Sequence, residues 1–198
     1  MNKKKITTQM IVMIAMGVVI NYIGGQLALM LRLPIYLDSI GTILVAYMFG
    51  PIAGMCPPLI SGLLMAATGD IFSLYFAPVG IILGLTSGLV LRKMFDGKKN
   101  VGKSLLNIIL AAFVITVPST IVSSIINAVL FGGITSSGST VLVQLLRNTP
   151  LGLTGSVFVV QILTDFLDRI ISLALVLAIC SVPYIRQMIA DARRKATA

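Results

Sequence analysis

The segment RKMFDGKKNVGK (residues 92–103) runs straight into SLLNIILAAFVITVPSTIVSSIINAVLF (104–131), so that a loop carrying five bases is followed by 28 residues without a charge. A helix needs about 20 apolar residues to cross the hydrocarbon core of a bilayer, and the second segment exceeds that length. Bases gather at the cytoplasmic edge of such spans. The junction at 103–104 therefore reads as the place where the chain leaves the cytoplasm and enters a membrane.

The same alternation continues in both directions. Lys3, Lys4 and Lys5 precede the uncharged stretch 6–31, and Arg186, Arg193, Arg194 and Lys195 close the chain. Only Arg32, Arg147 and Arg169 lie outside the three basic clusters, and further uncharged stretches cover 39–69, 71–91 and 104–146. With a mean hydropathy of +1.04, 57% hydrophobic residues and 11% charged ones, the chain has too little polar material to coat a soluble globule. The net charge of +9 does not indicate nucleic acid, because no basic stripe is interleaved with aromatics on a soluble module. Cys56 and Cys180 stand alone in apolar segments, without ligand spacing, and read as small core residues. The start imitates a secretory signal, but its apolar stretch is long and no Ala-x-Ala site follows before Arg32, so a retained first helix is expected.

Punctuation by Pro and Gly divides the chain into an all-α integral membrane protein with six transmembrane helices, over 8–30, 36–49, 52–68, 73–91, 104–131 and 157–186. The second and third are short for a full crossing, so they must meet thin bilayer or pack against protein. The whole of 1–198 is expected to form one membrane domain with a basic cytoplasmic loop at 92–103 and a long outer loop at 132–155. Six spans place both termini and the 92–103 loop on one side. The cytoplasmic charge balance is then +10, against −1 elsewhere.

The minority charges carry the functional signal, because a charge inside a span costs about 2.5–3.5 kcal/mol even on insertion scales. Asp38, Asp70, Asp165 and Asp168 fall at or near the expected outer half of the helices, with Arg169 beside the last two. Asn21, Gln26, Asn127, Arg147, Asn148 and Gln161 add polar groups at similar depth, as does Tyr22, and Tyr36, Tyr75 and Phe76 offer rings for stacking. The expected ligand-binding set is Asn21, Gln26, Tyr36, Asp38, Asp70, Tyr75, Asn127, Arg147, Asn148, Gln161, Asp165 and Asp168, around a pocket open to the outside. Structural alternatives stand beside each acid: Asp165 with Arg169 as an i,i+4 pair, Asp70 as a helix end, Asp38 as a cap for the second helix. Asn21 must find a partner, in another helix or in a ligand, because lipid would leave its amide unsatisfied. Gly17, Asn21 and Gly25 lie at four-residue spacing and suit close helix packing.

Residues 97–104, GKKNVGKS, match the Walker A pattern letter for letter. A phosphate-cradling loop needs a strand before it and a parallel sheet around it, whereas membrane helices flank this one, so it reads as a cytoplasmic turn. The chain contains no His and no Glu, which excludes His-based triads, His metal sites and glutamate bases. No catalytic residue, cofactor or metal is expected.

The run LPIYLDSIGT (33–42) leads into the Gly50-Pro51 turn and a Gly-bearing third helix, and LTDFLDR (163–169) opens the polar part of the last helix. In about 190 residues and six helices this resembles the substrate-binding S components of energy-coupling factor (ECF) transporters. The resemblance implies a cell-membrane protein that captures a micronutrient from outside. It implies association with a membrane coupling subunit and two cytoplasmic ATPases, whose ATP hydrolysis topples the S component to deliver its ligand. Members carry an Ala-x-x-x-Ala docking patch in the first helix; here Ala15 is followed by Val19. Scattered Asn, Gln, Asp and Tyr without Trp favour a polar ligand with one modest ring, a nucleoside such as a 2′-deoxynucleoside first and a pyridoxine-like vitamin next. A stand-alone ion-coupled transporter working through Asp165 or Asp168 is the alternative of another class, although no inverted repeat with broken helices is evident. A scaffold subunit without a ligand is a third.

Overall fold

Thr7 starts the first helix by accepting the N–H of Met10 on its side-chain oxygen at 3.3 Å, and α1 then runs over Thr8–Met30, the span expected from sequence. The computed structural model describes residues 6–95 and 105–197, the last six of these by backbone alone. Along them follow α2 (Ile40–Phe49), α3 (Pro51–Gly54), α4 (Cys56–Ala67), α5 (Phe72–Tyr75) and α6 (Ala77–Phe95). After the undescribed stretch come α7 (Leu105–Phe131), α8 (Ser139–Leu146), α9 (Gly152–Ser181) and α10 (Pro183–Thr197). The protein is all-helical, 82% helix with no strand among the described residues. The basic Walker-like sequence at 97–104 lies outside the described residues.

Among the described residues three helices are long and apolar enough to cross a membrane: α1, α6 and α7. A fourth is counted if α9 and the start of α10, which meet at 87°, are taken as one broken span. The sequence reading carried the last helix through to Arg186. The break falls instead at Pro183, which supplies no N–H and biases Val182 to extended backbone, with ψ of 127°. The outer connection is also more ordered than its Gly and Ser content suggests, since α8 and the first turn of α9 occupy part of 132–155. Val143 of α8 packs with Val157 and Val160 of α9 in a small apolar cluster of its own.

α2 begins four residues later than expected and is only ten residues long, about 15 Å at 1.5 Å per residue. It is buried on nearly every side, from Gly41 to Ala46 and again at Met48 and Phe49. Protein rather than lipid therefore surrounds this apolar helix. α1, α3, α4, α6 and α9 all contact it. Its crossing with α1 is made by two glycines: a Cβ on Gly41 would lie 2.0 Å from the carbonyl oxygen of Gly17. Ile43, Met48, Leu91, Ile115 and Leu173 fill the main core, and Ile185, Met188 and Ile189 fold α10 back onto it.

The segment between α1 and α2 positions the site. Arg32 and Leu37 take left-handed backbone conformations, φ 50° and 53°, and turn the chain back along α1. Gly24 allows this return, because a Cβ there would meet the Leu37 carbonyl oxygen at 2.1 Å.

Candidate functional site

The returning segment forms one wall of a cleft of about 1000 Å³, counted out to the open solvent at its mouth. Gly25, Ala28 and Leu29 of α1, Met65 of α4, and Phe72, Phe76 and Leu83 supply an apolar wall. Tyr36, Ser123, Gln161, Asp165 and Arg169 supply a polar one, with Asp38 and Asp70 also lining the space. Phe131 anchors the aromatic side: its ring lies 4.9 Å from that of Phe72 and stacks on Phe76 at 6.0 Å.

Tyr36, Gln161 and Asp165 are each held by another element. Tyr36 donates its hydroxyl to Gln161 Oε1 at 3.4 Å and lies equally far from the Ser139 hydroxyl of α8. Gln161, only 1% exposed, donates through Nε2 to Ser123 of α7. Asp165 accepts hydrogen bonds from Thr120 at 2.6 Å and Ser123 at 3.4 Å, both on Oδ2. Asp70 accepts the Ser73 hydroxyl on Oδ2 while its buried Oδ1 has no partner.

Asp168, one turn beyond Asp165, does something else. Its Oδ1 accepts the N–H of Leu37 at 2.8 Å, and its Oδ2 accepts the Ser39 hydroxyl at 2.9 Å and pairs with Arg169. The i,i+4 pair considered from sequence, Asp165 with Arg169, is thus replaced by a pair between neighbours, and Asp168 ties the 31–39 segment to α9. It is not among the residues that line the cleft.

Of the twelve residues expected at a ligand site, Tyr36, Asp38, Asp70, Gln161 and Asp165 come together in the cleft. The others lie elsewhere. Asn21 finds its partner in protein: Oδ1 accepts the N–H groups of Gly41 and Thr42 at 2.8 and 3.3 Å, and Nδ2 donates to Thr42 Oγ1 at 2.7 Å. The side chain therefore serves the first turn of α2, whose orphan N–H groups need acceptors. Gln26 bonds Thr68 across α1 and α4. Tyr75 is 49% exposed and packs edge-on against Phe131. Arg147 bonds Gln144 on the surface of α8, Asn148 is exposed beside it, and Asn127 is buried in α7 with Oδ1 unpartnered.

Sequence reasoning missed Ser61, Ser73, Ser123, Thr135, Ser136 and Ser137 as lining residues. Membrane helices carry many hydroxyls that bond their own backbone, so single Ser and Thr residues gave no signal. The repeated hydroxyls of α7, at 116, 119, 120, 123 and 124, were the available hint.

A helical cleft with one aromatic wall and one hydrogen-bonding wall is suited to holding a small amphiphilic molecule. The family model described as ECF transporter, substrate-specific component, matches residues 9–180. The chain belongs to this family. As an S component it is a substrate-binding membrane subunit of an ECF importer, a role that implies a small-molecule substrate, a membrane coupling subunit and ATPases. No curated protein and no solved structure matches this S component.

Proposed function

We propose that this S component captures a small polar ring compound from outside the cell in the cleft between α1, α4, α6, α7 and α9, and passes it to a coupling subunit powered by two ATPases. The observation that carries the reading is the pairing of the Phe72–Phe76 wall with the Tyr36, Gln161 and Asp165 wall across one space. A flat ring stacks on the first while ring or sugar substituents meet the second. A nucleoside, a 2′-deoxynucleoside above all, is the first candidate, and a pyridoxine-like ring the second.

In this reading the domain spans residues 1–198 with six membrane passages, the short ones being α2 and the α3–α4 pair enclosed by the longer helices. Arg92, in the last turn of α6, packs against Gly50 at the α2–α3 turn, away from the cleft, which supports placing that end, both termini and the 92–103 loop in the cytoplasm. The cleft then opens outward. Ala15 and Val19 are exposed on α1 and present a face for the coupling subunit.

A thermal-shift screen of the purified protein against nucleosides and vitamins tests capture, since a ligand that binds only the native state raises Tm. Stabilisation by one ring compound, with recovery of two ATPases and a coupling protein from native membranes, is the expected result. Uptake by this chain alone in liposomes, abolished by collapse of an ion gradient, would overturn it.

A further inference from the structure

The charges of the cleft do not balance. Its lining holds three carboxylates, Asp38, Asp70 and Asp165, and one base, Arg169. That base is already matched by Asp168, in the one ion pair found among the described residues. Arg32 and Arg147 lie outside the lining, and Tyr36 contributes only a hydroxyl. The unmatched carboxylates also show open valences. Asp165 is 4% exposed, and both of its hydrogen bonds fall on Oδ2, so none reaches Oδ1. Asp70 Oδ1 is buried and unpartnered. Asp165 is buried and Asp38 and Asp70 are half-buried; a buried carboxyl without a counter-charge takes up a proton or gains a partner of opposite charge, and a cation entering the space stabilises its ionised form.

The arrangement also bears on what kind of cation fits. No three acids or cysteines among the described residues lie close enough together to hold a metal ion. The carboxylates are distributed along the wall, on the 31–39 segment, on the turn before α5 and on α9, facing apolar and aromatic side chains. A metal ion would find no cluster of three acids there, whereas a ring compound with a charged substituent would meet the aromatic wall and a carboxylate together.

We infer that the ligand of this S component is an organic cation, a flat ring bearing a protonated amine, with Asp165 as its principal counter-charge and Asp38 and Asp70 extending the negative field. This rests on the capture reading above and, within its class of small ring compounds, puts an amine-bearing one ahead of the nucleoside and the pyridoxine-like ring named there. Phosphorylated and carboxylated ring compounds are excluded by the same field, because like charges brought together in a desolvated cleft repel.

Matched ligand pairs provide the test: pyridoxine against pyridoxamine, and adenosine against 5′-amino-5′-deoxyadenosine, titrated calorimetrically into the full-length purified protein at pH 7, with adenosine 5′-monophosphate as the anionic control. The amine should bind at least about tenfold tighter than the hydroxyl compound in at least one pair, and the phosphate should not bind. Asp165→Asn should collapse the preference for the amine; the wild-type comparison decides the question even if that variant folds poorly. A hydroxyl compound binding as tightly as its amine overturns the cationic assignment and leaves capture standing. If no compound binds but the chain co-purifies with two ATPases, the assignment alone falls; if neither occurs, the capture reading falls with it.

Discussion

Asp168 of α9 accepts the backbone N–H of Leu37 at 2.8 Å, across 131 residues of sequence. The same carboxylate holds Ser39 and pairs with Arg169, so one buried side chain fixes the entry to α2 and holds the guanidinium of the cleft wall. Site and scaffold meet at this residue.

Removing the carboxylate should therefore be severe. Asp168→Ala leaves Arg169, which is 4% exposed, without its counter-charge, and breaking a buried pair from one side costs about 3–5 kcal/mol. The expected outcome is a large fall in Tm in detergent, partly restored in the double variant Asp168→Ala/Arg169→Met. An unchanged Tm in the single variant would show that the pair contributes little.

Asn21 is expected to matter for stability and hardly at all for affinity. Asn21→Ala strands the N–H groups of Gly41 and Thr42 in a buried helix start, at about 1–3 kcal/mol for a lost acceptor. Denaturation should report that loss, while titration of the folded fraction gives the wild-type Kd. Weakened binding with undiminished stability would place Asn21 in the site after all.

Gly24→Ala tests the returning segment. Its methyl group would meet the Leu37 carbonyl oxygen at 2.1 Å, so the segment carrying Tyr36 and Asp38 must move. Overpacking of this kind costs about 1–3 kcal/mol, and here it also displaces two lining residues. Affinity for the ligand found in the thermal-shift screen should drop at least about tenfold. Wild-type affinity would mean that the segment does not form the binding wall.

Tyr36→Phe keeps the ring and removes the hydroxyl that joins Gln161 and Ser139 at 3.4 Å. Those contacts are long, so the stability change should stay under about 1 kcal/mol. Ligand specificity should respond more than stability, which a calorimetric comparison of hydroxyl-bearing and deoxy ligands measures directly. A fall in Tm as large as that of Asp168→Ala would recast Tyr36 as structural.

Much of the scaffold was legible beforehand. α1 has the bounds read from its charges and apolar length, and α7 begins within one residue of the position expected after the basic loop. Long apolar runs are local signals, and the absence of water from a bilayer core forces their backbone groups to pair within helices. The departures occur where distant parts of the chain compete with local pattern. The sequence 36–39 was read as the start of a helix, yet Leu37 and Ser39 bond to α9 instead. Pro183 was a visible break that the apolar residues around it obscured.

By itself the sequence determined that this is a helical membrane protein whose few interior acids and amides each need a compensating partner, because burying them unpaired is costly. Only the tertiary structure decided which of them do which task. Asp165 and Asp168 lie on one helix within a single turn and look alike in sequence, and an i,i+3 spacing leaves their side chains only about 60° apart on one face, so they are told apart by the element each one meets: α7 for Asp165, the 31–39 segment for Asp168. One then lines the cleft, while the other meets the backbone of a segment some 130 residues away. Contacts at such separation depend on how the whole chain folds back on itself, through Gly24 and the left-handed turn at Leu37, and no local pattern of charge or hydropathy encodes them.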